Sequence, residues 1–526
     1  MTSLNAVAQP SLNAEFLETH VEGKGWSAQR LLPEKVLQFG EGAFLRGFVD
    51  WMIHGMNQQE LFGGRVVVVQ PIAQGQVEKL NEQSGAYTLR MRGVEAGKVV
   101  ERQELINSIS RGINPYTHFQ DYLRCAYNPD LRFIVSNTTE AGISFNGDDK
   151  QADEPQASFP GKLTRFLLER YTAFHGDLSK GFVLLPCELI DRNGDRLKET
   201  VLRTAANWSL GSEFIQWVEN ANIFTNTLVD RIVTGYPKDG IEELWDESGY
   251  RDDLFDTSEV FHLWVIEGPD SLPVELPLAK AGFNVIVADS MKPYRDRKVG
   301  ILNGAHTSTA LAAYLVGFDY VGDFMDDPLI AGFMRQAIFE EVIPTLTLPK
   351  AELELFAEAV FERFSNPFIH HSLQSIALNS VSKYKARVLP SLERYVALRG
   401  ELPMRLTFAL AALIVFYRGT AVVNGTLICD RGGHAYPEKD DLPILQKMAA
   451  LWDAYDGSPA GVRKLTDEVL QQKEWWGKDL RVVPGLAIAA SEFTSTILAH
   501  GVRVALTDLA QSEALHEAVA GTSVGA

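Results

Sequence analysis

The sequence predicts an α/β protein in two parts, an N-terminal doubly wound sheet domain followed by a mostly α-helical C-terminal domain. Short apolar runs bounded by turn residues recur through the first half, the signature of a parallel sheet covered on both faces. Helical stretches such as 162–171 separate some of these runs. After Pro293 strand-like runs nearly vanish and apolar residues settle into helical spacing.

Residues 1–28 read as a loose, flexible tail. They are polar and lack a charged segment followed by an apolar one, so no secretion signal is expected. The first domain is placed at 29–290. Its first strand is 36–40, followed by a glycine-rich turn and a helix through 48–53. Runs at 65–70, 132–136 and 182–186 are the next strands, and 260–266 and 284–288 add two more. The second domain is placed at 291–526. Leu353, Phe356, Ala357, Val360, Phe361 and Phe364 there follow the i, i+3, i+4, i+7 pattern of an amphipathic helix. The most apolar stretch, 406–416, falls well short of the roughly 20 residues a membrane span requires and reads as a buried helix. Segment 420–441, rich in glycine and charge, reads as an exposed loop.

Composition narrows the function. Lysine plus arginine number 49 against 68 aspartates and glutamates, a formal net charge of -19. Nucleic acid is an unsuitable partner, because phosphate binding needs a basic footprint. An anionic substrate would need a local basic pocket to overcome the global field. Three cysteines, Cys125, Cys187 and Cys429, are too few for a disulfide framework and fit a reducing, cytoplasmic setting.

A nucleotide site is expected where the first strand ends at Phe39. Gly40-Glu41-Gly42-Ala43-Phe44-Leu45 then opens a helix. In a dinucleotide fingerprint the first glycine makes a tight turn and the second admits the pyrophosphate to the helix N-terminus. The third glycine position holds Leu45, so the fingerprint is incomplete. The second strand ends in Gln70-Pro71-Ile72. That offers neither an acid for a ribose 2′-hydroxyl nor an arginine for a 2′-phosphate, which leaves NAD and NADP both open. Asn137, Thr138 and Glu140 follow a further strand, at the edge where open α/β sheets bind ligands. Glu140 fits either a carboxylate at the reactive end of the cofactor or an exposed loop residue.

Lys298, Asn303 and His306 suit reduction of a ketone. Hydride delivery leaves an alkoxide that must be protonated, and a lysine can do so if its pKa is lowered toward neutrality. Asn303 can hydrogen-bond the developing alkoxide, and His306 can orient a substrate hydroxyl. On one α-helix Asn303 and His306 are i, i+3 neighbours. Lys298 and His306 would be about 80° apart around the axis and about 12 Å apart along it. Zinc sites need three or four ligands. The sequence offers only the pairs Cys429 with His434 and His370 with His371, so no metal is expected.

Gly40-x-Gly42-x-Phe44-x-Arg46, Val229-Asp230-Arg231-Ile232 and Lys298-x4-Asn303-x2-His306, together with 136–144, 186–190 and 292–294, resemble the marks of the mannitol dehydrogenase family. These are long-chain, metal-independent polyol dehydrogenases, and the likeness is strongest to members acting on sugar acids. The resemblance implies a Rossmann-like first domain binding NAD through Phe39–Phe44, Arg46, Gln70, Asn137 and Thr138. It implies Lys298 as general acid/base, with Asn303 and His306 beside it. A sugar-acid carboxylate would need a basic clamp in the helical half. Lys383, Lys385 and Arg387, with His371 nearby, are the candidates there, although Lys383 and Lys385 fit a solvated helix face equally well. The chain departs from the family pattern at Leu189, where polyol-oxidising relatives often carry an asparagine. It departs again at Arg295, where relatives often carry a glutamate, and at Thr234 after the Val-Asp-Arg motif.

Overall fold

The computed structural model describes residues 9–20, 26–139 and 141–523. The chain divides into two compact units, 1–95 with 99–291 and 96–98 with 292–526.

The first unit is built on six parallel strands: β1 (Glu34–Phe39), β2 (Arg65–Val69), β3 (Ile109–Ile113), β4 (Phe133–Ser136), β5 (Val183–Pro186) and β6 (Ile223–Phe224). Their order across the sheet is β3-β2-β1-β4-β5-β6. This is the doubly wound dinucleotide-binding order, whose switch point lies between β1 and β4.

Alternate residues of each strand enter different cores, because successive side chains of a strand point to opposite faces. Val36, Val66, Val68, Phe133 and Val135 join the core that also holds Phe48 and Met52. Leu37, Phe39, Val67, Val69 and Ile134 join the core formed with Phe159–Ala173, Asn193–Asn207 and Ser212–Ala221. Each fully buried aliphatic side chain contributes about 1.5–3 kcal/mol over an exposed one.

Three expectations are corrected in this unit. Strand β3 reads Ile-Ser-Arg-Gly-Ile, which offers no apolar run to detect. The strands expected at 260–266 and 284–288 are real, at Leu263–Glu267 and Val285–Ala288, but they do not extend the main sheet. They form a separate three-stranded sheet with Asn226–Asp230, to which Leu263–Glu267 runs antiparallel. Nor are residues 11–20 a loose tail. Leu12 donates its N–H to the Arg251 carbonyl at 2.8 Å, and Ala14–His20 is a helix that buries Leu17 beside Ala86.

The second unit is mostly helical. Leu353, Phe356, Ala357, Val360, Phe361 and Phe364 are all buried on one face of Lys350–Phe364, as their spacing requires. Met404–Phe416 is buried along nearly its whole length. No helix of the described residues is long and apolar enough to cross a membrane. Segment 420–441 is a three-stranded meander rather than a loop: Ala421–Val423, Thr426–Arg431 and His434–Glu438. Its two-residue turns are Asn424-Gly425 and Gly432-Gly433, all four residues at positive φ, the chemistry that tight hairpins demand. Leu427, Cys429, Tyr436 and Glu438 face inward.

Candidate active site

In the first unit, Gly40 is required twice over. Its φ is +126°, and a Cβ there would lie 3.1 Å from the Asn137 carbonyl oxygen and 3.2 Å from the Leu45 side chain. A Cβ at Gly42 would meet nothing within 4 Å, so the space before the helix N-terminus is open to a ligand. The close approach usually supplied by a third glycine falls instead to Gly47, whose Cβ would lie 3.0 Å from Val233. There the helix widens into a π turn, Arg46–Asp50. Arg231 of the Val-Asp-Arg motif donates to the Gly47 carbonyl at 2.6 Å and lies over the Trp51 ring. That motif therefore braces the helix.

The loop after β4 is equally fixed. Asn137 donates its side-chain amide to the Cys187 carbonyl at 2.8 Å. Thr138 donates both its N–H and its hydroxyl to Glu188, which also accepts from Ser136. Glu188 is buried, and burial pushes its carboxyl above the ordinary range.

Arg46 turns away from this surface. It is 3% exposed, with Nε 3.9 Å from Asp256 and its guanidinium over Tyr87. Asp50 lies close by and accepts from Gln38 at 3.0 Å. Burial lifts both Asp50 and Asp256 to about 7.

In the second unit, the helical run 292–316 contains a π turn at Lys298–Asn303, between Lys292–Arg297 and Gly304–Val316. Such wide turns recur at functional sites. A turn closed i→i+5 brings residues five apart toward one face, whereas an α-helix would set them about 140° apart. The π turn therefore sets Lys298 and Asn303 closer around the helix axis than an α-helix would.

Asn303 lines a cavity of about 320 Å³ together with Arg387, Arg295, Arg394, Val299 and Gly300. His306 stacks its ring on Phe364 at 4.1 Å, with His371 edge-on at 5.8 Å. Its Nε2 is buried and has no hydrogen-bond partner among the described residues. Burial, followed by the positive charges of His371, Arg363, Arg387 and Lys383, holds the imidazole down at about 3. The ring is therefore neutral near pH 7 and offers one donor and one acceptor.

The basic helix Ser380–Arg387 sorts its cations by periodicity. Lys383 and Arg387, i and i+4, share the face toward His306, while Lys385 is exposed. Lys383 donates to the Ile376 carbonyl at 2.8 Å, and Arg387 reaches the Thr307 hydroxyl at 3.5 Å.

Residues 34–280 match the mannitol dehydrogenase Rossmann domain, and 290–497 match the mannitol dehydrogenase C-terminal domain. The chain belongs to the mannitol dehydrogenase family. Altronate oxidoreductases of Escherichia coli O6:K15:H31 (strain 536 / UPEC) and of Shigella flexneri are 48% identical to it over 478 residues, 91% of this chain and 97% of theirs. The solved Pseudomonas fluorescens mannitol 2-dehydrogenase, a ternary complex with NAD and D-mannitol, has a TM-score of 0.65 at 21% identity, covering 95% of this chain and 99% of that one. Substrate-free D-sorbitol dehydrogenase has a TM-score of 0.74 at 22% identity, covering 90% and 95%. The two solved relatives share the fold.

Within this mannitol dehydrogenase family framework, Asn303, His306, Lys383, Arg387 and His371 come together in the second unit. Phe39, Gly40, Glu41, Gly42, Ala43 and Phe44 lie at the β1 turn, with Gln70, Asn137 and Thr138 at the neighbouring strand ends. Glu140 lies outside the described residues. Asn193, four residues after Leu189, cannot replace the family's asparagine. Its side chain is held by Pro186, Glu188 and Thr227. Arg297, one residue before Lys298, is buried and salt-bridged to Glu352 at 2.6 Å. The sequence reading missed Glu188, and it placed Arg363 near the basic cluster without giving it a role. Arg363 carried a signal, since it is the one basic residue among the apolar positions of the last turns of Lys350–Phe364.

Proposed function

We propose that this oxidoreductase interconverts D-tagaturonate and D-altronate with NAD in the cytoplasm, without a catalytic metal. Residues 29–290 are assigned to the dinucleotide and 291–526 to the sugar acid. The observation that carries the reading is the neutral His306, its Nε2 unpartnered, surrounded by Lys383, Arg387, Arg363 and His371. In a chain of net charge -19, the cations Lys383, Arg387 and Arg363 around a hydroxyl-binding group suit a polyol that bears a carboxylate, while His371, held below its ordinary pKa by burial and by Arg363, is a neutral hydrogen-bonding neighbour. The name of the relatives at 48% identity agrees.

The open space at Gly42 and the unpartnered Gln70 Oε1 fit a dinucleotide on the first unit. Bound NADH supplies the hydride. Asn303 donates a hydrogen bond to the carbonyl oxygen that strengthens as negative charge develops, an interaction worth about 3–4 kcal/mol in comparable sites. Lys298 gives its proton to the alkoxide, and in the oxidative direction it takes that proton back as a neutral amine. His306 holds a neighbouring hydroxyl, while Lys383, Arg387 and His371 hold the carboxylate.

The test is a spectrophotometric comparison of NADH oxidation with tagaturonate, fructuronate and fructose. Tagaturonate should give the highest kcat/KM. Preference for fructuronate would make the protein a reductase of the epimeric uronate, and preference for fructose would make it a mannitol-type 2-dehydrogenase. NADH binding with no turnover of any of the three would indicate a sugar-acid sensor and refute the proposal.

A further inference from the structure

A dinucleotide fold of this type usually reads the adenosine ribose with an acid at the end of its second strand. Here β2 ends in Gln70. The carboxylate comes from the neighbouring turn. The Glu41 side chain leaves the β1 turn and lies on the loop after β2, with Oε1 against Gly75 and the Gln76 backbone close by. A Cβ added at Gly75 would collide with both Glu41 Oε1 and Gln70 Oε1, so the two oxygens converge on one point. Gln70 is 1% exposed. Its Nε2 donates to the Ile72 carbonyl at 2.9 Å and the Ala73 carbonyl at 3.2 Å. Those two acceptors fix the amide orientation, and Oε1 is left buried without a partner.

We propose that Glu41 and Gln70 together bind the 2′-hydroxyl of the adenosine ribose and make the protein select NAD against NADP. This rests on the dinucleotide reading above. The selection is a matter of donors and acceptors. A 2′-hydroxyl can donate to either oxygen. A 2′-phosphate carries nearly two negative charges and only acceptors. It would meet a carboxylate and an amide whose own donors are spent. Nearby charge does not reverse this: Arg46, buried against Asp256, favours the ionised form of Glu41, and Glu78 adds a second carboxylate. Gly75 is needed because any side chain would occupy the point of convergence.

The experiment combines calorimetric titration of 5′-AMP and 2′,5′-ADP with kcat/KM for NADH and NADPH. It uses the full-length wild type, Glu41→Gln, Glu41→Ser and Glu41→Ser with Gln70→Arg. The wild type should bind 5′-AMP the more tightly and prefer NADH. Glu41→Ser should narrow both preferences by about 10–100-fold, the worth of a hydrogen bond to a charged group. The nearly isosteric Glu41→Gln keeps the shape and should fall between, and the double variant should lean toward 2′,5′-ADP. If the wild type prefers NADH but neither ratio moves by more than about threefold in Glu41→Ser and Glu41→Gln, the assignment to Glu41 is wrong and the NAD reading survives. A wild type that prefers 2′,5′-ADP and NADPH overturns both.

Discussion

Lys298 and Asn303 stand at the two ends of one π turn, which narrows the angle between them around the helix axis compared with α-helical closure. Deleting one residue from 299–302 should restore α-helical closure and rotate Lys298 away by about 100°. The loss of kcat should approach that of Lys298→Ala, about 10²–10⁴-fold. Asn303→Ala should also lower kcat, and His306→Ala should act mainly on KM. NADH affinity, measured by titration, should hardly change in any of them. Wild-type kcat in the deletion variant would show that the turn is incidental.

The two glycines of the β1 turn should separate stability from binding. Gly40→Ala forces a side chain into φ +126° and against the Asn137 carbonyl, at a cost of about 1–3 kcal/mol. Its Tm should fall. A Cβ at Gly42 meets no protein atom within 4 Å, so the Tm of Gly42→Val should change little while dinucleotide affinity drops. Equal affinity in Gly42→Val and wild type would remove the pyrophosphate from this turn.

The basic helix provides its own control. Lys383→Ala and Arg387→Ala should raise KM for the uronate by about 10–100-fold, the value of a charge-assisted contact. KM for an uncharged ketose should move much less. Lys385→Ala, on the exposed face, should affect neither. Steady-state kinetics on both substrates decides the point, and parallel losses on both would assign the helix to structure alone.

Asp50 and Asp256 predict an inverted pH effect on stability. Each is held at about 7, chiefly by burial, against an ordinary 3.8. Between those values the folded state binds protons that the unfolded state has released. The stability these groups contribute is therefore present at acid pH and lost as pH rises through about 7. Asp256→Asn carries no such charge. Its Tm relative to wild type should be higher at about pH 8 than at about pH 6, by scanning calorimetry. A constant difference would mean that the pair does not titrate there.

The legible parts of this sequence were those in which one periodicity dominates. β2, β4 and β5 are nearly continuous apolar runs, β1 is one broken only by the buried Gln38 after Val36, and Lys350–Phe364 repeats its apolar face without interruption. β3 hid behind Arg111 and Gly112, the latter a close-packing position where a Cβ would lie 2.8 Å from the Val77 side chain. The meander at 421–438 was read as a loop because its glycines drew attention away from the alternation of Leu427 with Cys429 and Tyr436 with Glu438. Asn424-Gly425 was the available signal. The site residues were found by chemical type and resemblance, but their geometry was not. An α-helical wheel separates Lys298 from Asn303, and no side-chain pattern announces a π turn. Glu41 was placed at the nucleotide site only as the residue between two glycines. Its contact with the loop after β2 depends on a strand order that the sequence does not spell out.

The feeding of alternate strand residues into two cores makes the main sheet a partition. Val67 and Val68 are bonded neighbours, yet they belong to separate cores on opposite faces of the sheet. Damage on one side cannot be relieved by repacking on the other. Val67→Ala and Val68→Ala should therefore destabilise additively, within about 0.5 kcal/mol, while Val68→Ala with Met52→Ala should not. Along these strands, the face a residue serves matters more to its mutational fate than the identity of the residue next to it.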